Sequence, residues 1–205
     1  MRVTGWRAIG LALVCGIAAL AALAHRSDAA RGARLGAIAS EIARRPVSVG
    51  CPGFWKRLVD VSANQGTVGV DERGRVGDRA DLSVEICGDL DRIANGDVDE
   101  ALACLAAPTP SCEPRLDRIA FALDALARES YHLAGIVDES LAECYAMQTI
   151  ALVGERLGLP RGHGEALAAY YFRREYPRLP HEYRSAICRP WGPLDIHPET
   201  AAWPA

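Results

Sequence analysis

Arg128, Glu129 and His132, in the stretch RESYHLAG, have types and spacing close to a metal-binding pattern. On a helix, H-E-x-x-H places two imidazoles one turn apart, so that both can reach a single Zn²⁺. The glutamate of that pattern polarises the metal-bound water and carries its proton. Glu129 and His132 stand at the glutamate and second-histidine positions, whereas Arg128 stands where the first histidine belongs. The chemistry indicated is metal-assisted hydrolysis with one ligand replaced.

The likeness extends beyond this helix, through DESLAECYAMQ, YPRLPHEYRSAIC and GPLDIHP, with a weaker echo around Cys51 and Cys87. From about residue 116 to 198 the chain resembles the helix-pair core of small secreted HExxH proteins of gluzincin type from high-GC bacteria. The resemblance implies a zincin-like fold, with Glu129 as general base and His132 as a zinc ligand. It also implies Glu143, on the following helix, as the third ligand, with Glu139 in reserve one turn earlier.

Arg128 departs from that family pattern. A guanidinium has no free lone pair and stays protonated, so it cannot replace imidazole on a cation and would repel Zn²⁺. One metal-free interpretation is an i,i+4 pair with Asp124, worth about 0.2–0.5 kcal/mol on a helix. Another pairs Arg128 with Glu143 or Glu139 across the helix hairpin, the guanidinium taking the place of the ion. We favour the second because it retains the geometry of the helix pair.

A helical wheel gives the direction of these side chains. It places Arg128 and His132 beside Asp117, Phe121 and Asp124, away from the apolar stripe through Leu116 and Leu123. We therefore expect this face to point toward a second surface, as a cleft requires.

Other candidate residues have less specific patterns. His163 and His181 could restore a metal ligand, but their Gly-rich and Pro-flanked settings indicate surface positions. Tyr145 and Gln148 follow Glu143 by two and five residues, and they either line a cleft or pack against the core or surface. Helix-face packing is predicted for four aromatic residues: Tyr170, Tyr171, Phe172 and Tyr176. The sequence contains no G-x-S-x-G, P-loop or dinucleotide-binding motif.

The elements that must position these residues are mainly helices. Apolar periodicity with N-cap and glycine signals predicts helices from 83 to a stop at Gly96, and over 97–105, 114–133, 138–157 and 164–176. In the first of these, the apolar stripe starts at Leu82. Residues 47–71 favour extended structure and a small hairpin, with turn residues at 72–74. The proline-rich tail, with Trp191 and Trp203, indicates an extended arm packed over the domain. We therefore predict a mainly α (α+β) fold with a small N-terminal β portion.

Six of the seven cysteines lie beyond the N-terminal segment. An even number behind an export signal is typical of disulfides in an oxidising compartment, and six cysteines allow 15 pairings. Among these the sequence itself does not choose. Our preferred prediction is Cys104–Cys112, which closes a short Pro-containing loop, together with Cys144–Cys188 and Cys51–Cys87. Because there is no C-x-x-C pair, a cysteine-built zinc site is not expected.

The N-terminus has the layout of an export signal. Arg2 and Arg7 precede the apolar run at 9–24, and SDAA offers a cleavage site. We interpret 1–29 as a signal peptide or an uncleaved signal anchor, 30–46 as a linker or short helix, and 47–205 as one extracytoplasmic domain. The protein is then either secreted or anchored by a single membrane pass, with the N-terminal segment as its membrane contact if uncleaved.

Net charge and composition limit the kinds of partner that are expected. The formal net charge is −3 and the basic residues are not clustered, so nucleic acid is not expected as a partner. The function predicted is that of a zincin-like protein with a degenerate metal site, without peptidase activity and without a cofactor, whose partner is an unidentified protein or peptide. Two alternatives stay open. One is an active zinc metallopeptidase with a substitute ligand, and the other is a non-catalytic protein that binds partners in the cell envelope.

Overall fold

The computed structural model describes residues 4–52, 66–70, 76–106, 109–198 and 203–204. Within them the chain is mainly helical, with a three-stranded sheet. The α-helices are α1 (Thr4–Ala43), α2 (Val84–Ala94), α3 (Asp99–Ala106), α4 (Glu113–Leu133), α5 (Glu139–Arg156) and α6 (Arg161–Arg174). The prediction of a mainly α fold with a small β portion is confirmed.

The hairpin of α4 and α5 carries all the candidate site residues. Pro114 lies in the first turn of α4, and Gly135 follows its end with φ +99°. A positive φ favours glycine, so Gly135 allows the chain to leave the helix. Asp138 then caps α5, its side chain accepting a hydrogen bond of 2.9 Å from the Leu141 backbone N–H. The local signals therefore fix where both helices begin and end, as predicted.

Two other helix predictions need small corrections. α6 begins at Arg161, directly after Pro160, and ends at Arg174. Tyr176, predicted as the last residue of this helix, instead begins a 3₁₀ helix, Tyr176–Arg178, because Pro177 cannot continue the α-helical hydrogen bonds. Leu82, predicted in the stripe of α2, belongs to a strand, and Ser83 caps the helix after it. A second 3₁₀ helix, His181–Tyr183, follows.

The sheet has the order β1-β3-β2, where β1 is Ser48–Gly50, β2 is Gly66–Val70 and β3 is Val76–Leu82. β2 pairs antiparallel and β1 parallel to β3, so the two stretches predicted as extended within 47–71 are both strands, but each pairs with β3, which lies beyond the predicted range. The predicted turn at 72–74 and the extended stretch at 53–65 lie outside the described residues. Among the described strands β2 is at an edge, and it lies beside α4.

The helix α1 runs through the segment expected as a linker or short helix. Leu35, Ile38 and Ala39 are buried in the core, and this part of α1 packs against α4 and β1. In the described part of the chain, no helix combines the length and the apolar character needed to cross a membrane.

Three disulfides staple the fold, and all three preferred pairs are confirmed: Cys51–Cys87, Cys104–Cys112 and Cys144–Cys188. Their number is typical of an oxidising, extracytoplasmic environment. The tail meets its prediction in part. Trp203 is buried and lies edge-on to Phe172, with ring centroids 5.7 Å apart, whereas Trp191 is exposed.

Candidate functional site

Arg128 lies between α4 and α5 with only 6% of its side chain exposed. Its Nη1 is 3.3 Å from Glu143 Oε2 on α5, and 4.0 Å from Asp124 Oδ2 one turn back on α4. Both metal-free pairings proposed for Arg128 therefore occur together, with Glu143 as the partner across the hairpin. The guanidinium contacts the carboxylate that the resemblance makes the third zinc ligand.

Tyr171 on α6 completes this buried cluster. Its hydroxyl oxygen lies 2.8 Å from Glu143 Oε1 and 3.0 Å from Asp124 Oδ2, within hydrogen-bond distance of both carboxyl groups, and its ring is fully buried. The sequence predicted only helix-face packing for Tyr171. A signal was present, because Gly164, Leu167, Ala168 and Tyr171 form the buried stripe of α6. A tyrosine in such a stripe needs a buried partner for its hydroxyl.

We call Asp124, Arg128, Glu143 and Tyr171 the arginine cluster. Burial raises the pKa of Asp124 well above its ordinary value, and the neighbouring Glu143 carboxyl raises it further. Burial also raises the pKa of Glu143, against the opposing effect of Arg128. For Arg128, burial disfavours the charge, but the surrounding carboxylates outweigh it and raise the pKa. A proton held on Asp124 leaves one carboxylate facing one guanidinium, so the buried cluster is close to neutral.

The expected second surface around Arg128 is corrected by the structure. Every residue of α4 from 122 to 130 is buried, Asp124 and Arg128 included. α5 and α6 cover this face, and the Tyr183 ring lies over the guanidinium, its centroid 5.5 Å from Arg128 Cζ. A helical wheel gives the direction of a side chain but not what lies there.

Glu129 and His132 open onto a different space, between α4 and the edge strand β2. A pocket of about 260 Å³ is lined by Gly66, Thr67, Val68, Val76, Glu129, His132, Val137 and Glu139. We call it the strand-side pocket. Burial raises the pKa of Glu129, whereas the charges of Arg128 and His132 lower it.

His132 is held at both ring nitrogens. Nδ1 lies 2.7 Å from the Ile136 carbonyl oxygen, and Nε2 lies 3.2 Å from Glu139 Oε2. A carbonyl oxygen only accepts, so Nδ1 carries a proton and orients the ring. Nε2 is the nitrogen turned to the pocket side, and its partner is Glu139, not Glu143.

The structure therefore separates the implied ligand set. Glu143 contacts Arg128 and Tyr171, while His132 contacts Glu139. Among the described residues, no group of three or more His, Cys, Asp or Glu side chains is placed to hold a metal ion. A guanidinium within 3.3 Å of the implied third ligand does not fit zinc at that position, because it would repel the ion.

The remaining candidate residues are either exposed or pack within the fold. His163 and His181 are exposed, as predicted. Gln148 holds the tail, donating 2.9 Å to the Leu194 carbonyl and accepting 3.0 Å from the Ile196 N–H. The Tyr145 ring packs against Tyr131, with centroids 5.4 Å apart.

Comparison with known proteins finds no matching family model, and no curated protein or solved structure similar to this chain.

Proposed function

We propose that this protein is an exported, zincin-like protein with a degenerate metal site, and that it acts without peptidase activity. The observation that carries the proposal is the buried contact of 3.3 Å between Arg128 and Glu143. A permanent cation occupies the first-histidine position of the metal-site pattern, beside the carboxylate expected to bind the ion. Glu129 and His132 keep their spacing next to it. No hydrolytic step through zinc is assigned to this arrangement.

Export supports the same proposal. The disulfides require an oxidising compartment, and the N-terminal segment has the layout of a signal. We infer that the protein is either secreted or held by a single N-terminal anchor. Its partner is then an extracytoplasmic protein or peptide.

The test is the zinc content of the purified full chain, compared with the variants Arg128→His and His132→Ala. We expect wild type to hold no stoichiometric zinc and Arg128→His to gain it, since one substitution restores the pattern. His163→Ala, at an exposed histidine, is the matched control for His132→Ala. If Arg128→His gains nothing, the helix pair is purely structural, and a non-catalytic envelope protein becomes the better description.

One observation favours an active metallopeptidase as the second candidate. Glu139 lies 3.2 Å from His132 Nε2 and lines the same pocket as Glu129, which supports Glu139 as the substitute ligand of this candidate. That candidate requires stoichiometric zinc in wild type that is lost in both His132→Ala and Glu139→Gln. It also requires hydrolysis of a casein substrate that stops in Glu129→Gln.

A further inference from the structure

The strand-side pocket contains a carboxylate whose charge is poorly compensated. The Glu129 side chain is only 6% exposed. Among the residues that the structure describes, the nearest cationic atom is Arg128 Nη2, 3.8 Å from Oε1, which is beyond hydrogen-bond distance. Within the described residues the Glu129 carboxylate accepts no hydrogen bond. Buried carboxylates are normally paired and hydrogen-bonded, so this one is an exception that needs an explanation.

The cations around Glu129 are already engaged. Arg128 is shared among Glu143, Asp124 and the Tyr183 ring. His132 directs one nitrogen to a backbone carbonyl and the other to Glu139. Each of these positive groups has a closer acceptor than Glu129, which leaves the Glu129 carboxylate available to a cation from outside.

The backbone of β2 brings this carboxylate to the pocket wall. A methyl group built on Gly66 would lie 2.7 Å from Glu129 Oε1, so the strand passes close to the carboxylate, and a larger residue here would make the carboxylate shift. The carboxylate therefore stands at the boundary between the strand and the open space, as a group that binds a ligand must.

The rest of the pocket fits an alkyl chain. Val68, Val76 and Val137 line it, and they offer apolar contact to methylene groups. Its volume of about 260 Å³ is at or below the lower end of typical small-molecule sites, about 300–1,000 Å³. A group the size of one amino-acid side chain fits such a space.

We propose that the strand-side pocket binds the cationic end of an alkylammonium group, with Glu129 as its ion-pairing partner and the valines against its methylene chain. The group is either a free amine or a lysine side chain of a peptide. This site does not depend on the zincin relationship, since it needs neither zinc nor peptidase activity.

The experiment uses the full chain at neutral pH and follows the backbone amide resonances of β2 by NMR. The first pair of probes is n-butylammonium and n-butanol, which differ mainly in charge. The second pair is the blocked tripeptide Ac-Ala-Lys-Ala-NH₂ and the same peptide with norleucine in place of lysine. Comparison of the two charged probes distinguishes a free amine from a peptide-borne one.

We expect the charged member of at least one pair to shift the Gly66 and Thr67 resonances in a saturable way, and to bind at least about tenfold more tightly than its neutral partner. Glu129→Gln should remove that preference. Glu155→Gln, at an exposed carboxylate on the far end of α5, is the matched control and should keep it.

A second variant keeps the proposal testable if Glu129→Gln fails to fold. Gly66→Ala retains the charge but displaces the carboxylate, because the new methyl group would contact it, so charged-probe binding should weaken. Binding of neutral and charged probes with equal affinity, no saturable shift with any probe, or full binding by Glu129→Gln overturns the proposal. None of these outcomes depends on zinc content. A failure of the alkylammonium proposal can therefore be distinguished from a failure of the proposed function.

Discussion

The arginine cluster and the strand-side pocket are built around adjacent residues of α4, Arg128 and Glu129, yet the environments of these two charged side chains differ. Arg128 points between helices, where Asp124, Glu143 and Tyr171 saturate its charge in a closed interior. Glu129 points to the edge strand, where space remains and no described residue hydrogen-bonds to it. One helix thus carries a buried cluster of ion pairs and hydrogen bonds on one face, and on the other a carboxylate with no hydrogen bond from a described residue. The difference teaches that a polar pattern alone does not say which face is available for binding.

The largest effect should come from Arg128→Ala. It leaves Glu143 and Asp124 buried without their cation, so we expect a loss of about 3–5 kcal/mol in the free energy of unfolding. Chemical denaturation followed by circular dichroism measures it. Arg156→Ala, which breaks an exposed 2.7 Å pair with Glu41, is the matched control and should cost much less, because exposed ion pairs contribute little to stability.

Adding Glu143→Gln to Arg128→Ala sharpens this prediction. The double variant should lose less free energy of unfolding than the two single variants lose in sum, because the buried negative charge is removed together with its partner. Additive losses would mean that Arg128 and Glu143 do not stabilise each other.

Tyr171→Phe should have the next largest effect. It removes the hydroxyl that lies within hydrogen-bond distance of both buried carboxyls while preserving the ring, so a loss of about 1–3 kcal/mol is expected. The matched control is Tyr145→Phe, since the Tyr145 ring packs against Tyr131 and is only half-buried. If the two variants unfold at the same denaturant concentration, Tyr171 serves packing alone.

Asp124→Asn should change the pH dependence of stability. Because the folded-state pKa of Asp124 is raised above its unfolded value of about 3.9, the native state retains a proton that the unfolded chain releases. The stability that Asp124 contributes by holding this proton is therefore fully present below the unfolded-state pKa, and it is lost as the pH rises toward the folded-state pKa. Asparagine imitates the protonated acid, so the variant should lose less stability than wild type between pH 4 and neutrality, measured by unfolding at several pH values. Parallel profiles would show that Asp124 holds no proton.

The smallest effect is expected from Glu129→Gln. No hydrogen bond of the described structure is lost, so the free energy of unfolding should change by less than about 1 kcal/mol. Measured beside Arg128→Ala, this variant tests the comparison directly. Equal losses in the two variants would put Glu129 inside the same closed network as Arg128.

The sequence predicted the helix pair well because its ends are marked by local chemistry. Asp138 as N-cap and Gly135 and Gly158 after the helix ends act within a few residues, so no tertiary information is needed. The disulfide pairs were also predicted, although the sequence itself does not choose among the 15 pairings.

The burial of the site was not predictable in the same way. Asp124 and Arg128 look like exposed polar residues on a helical wheel, and only the packing of α5 and α6 makes them internal. Tyr171 and Tyr183 approach Asp124 and Arg128 from segments more than 40 residues away along the chain, which no local pattern predicts. The separation of His132 from Glu143 likewise depends on which partner each side chain meets.

The bond between Cys144 and Cys188 has a consequence for the interior polar groups. Cys144 follows Glu143 on α5, while Cys188 comes five residues after Tyr183, the ring that covers Arg128. Oxidation of this pair therefore shortens the tether on the segment that shields the guanidinium from water. Before that bond forms, we expect the Tyr183 ring to pack less tightly over Arg128 and the guanidinium to be more hydrated. The exclusion of water from the buried charges is therefore linked to the oxidation of Cys144 and Cys188.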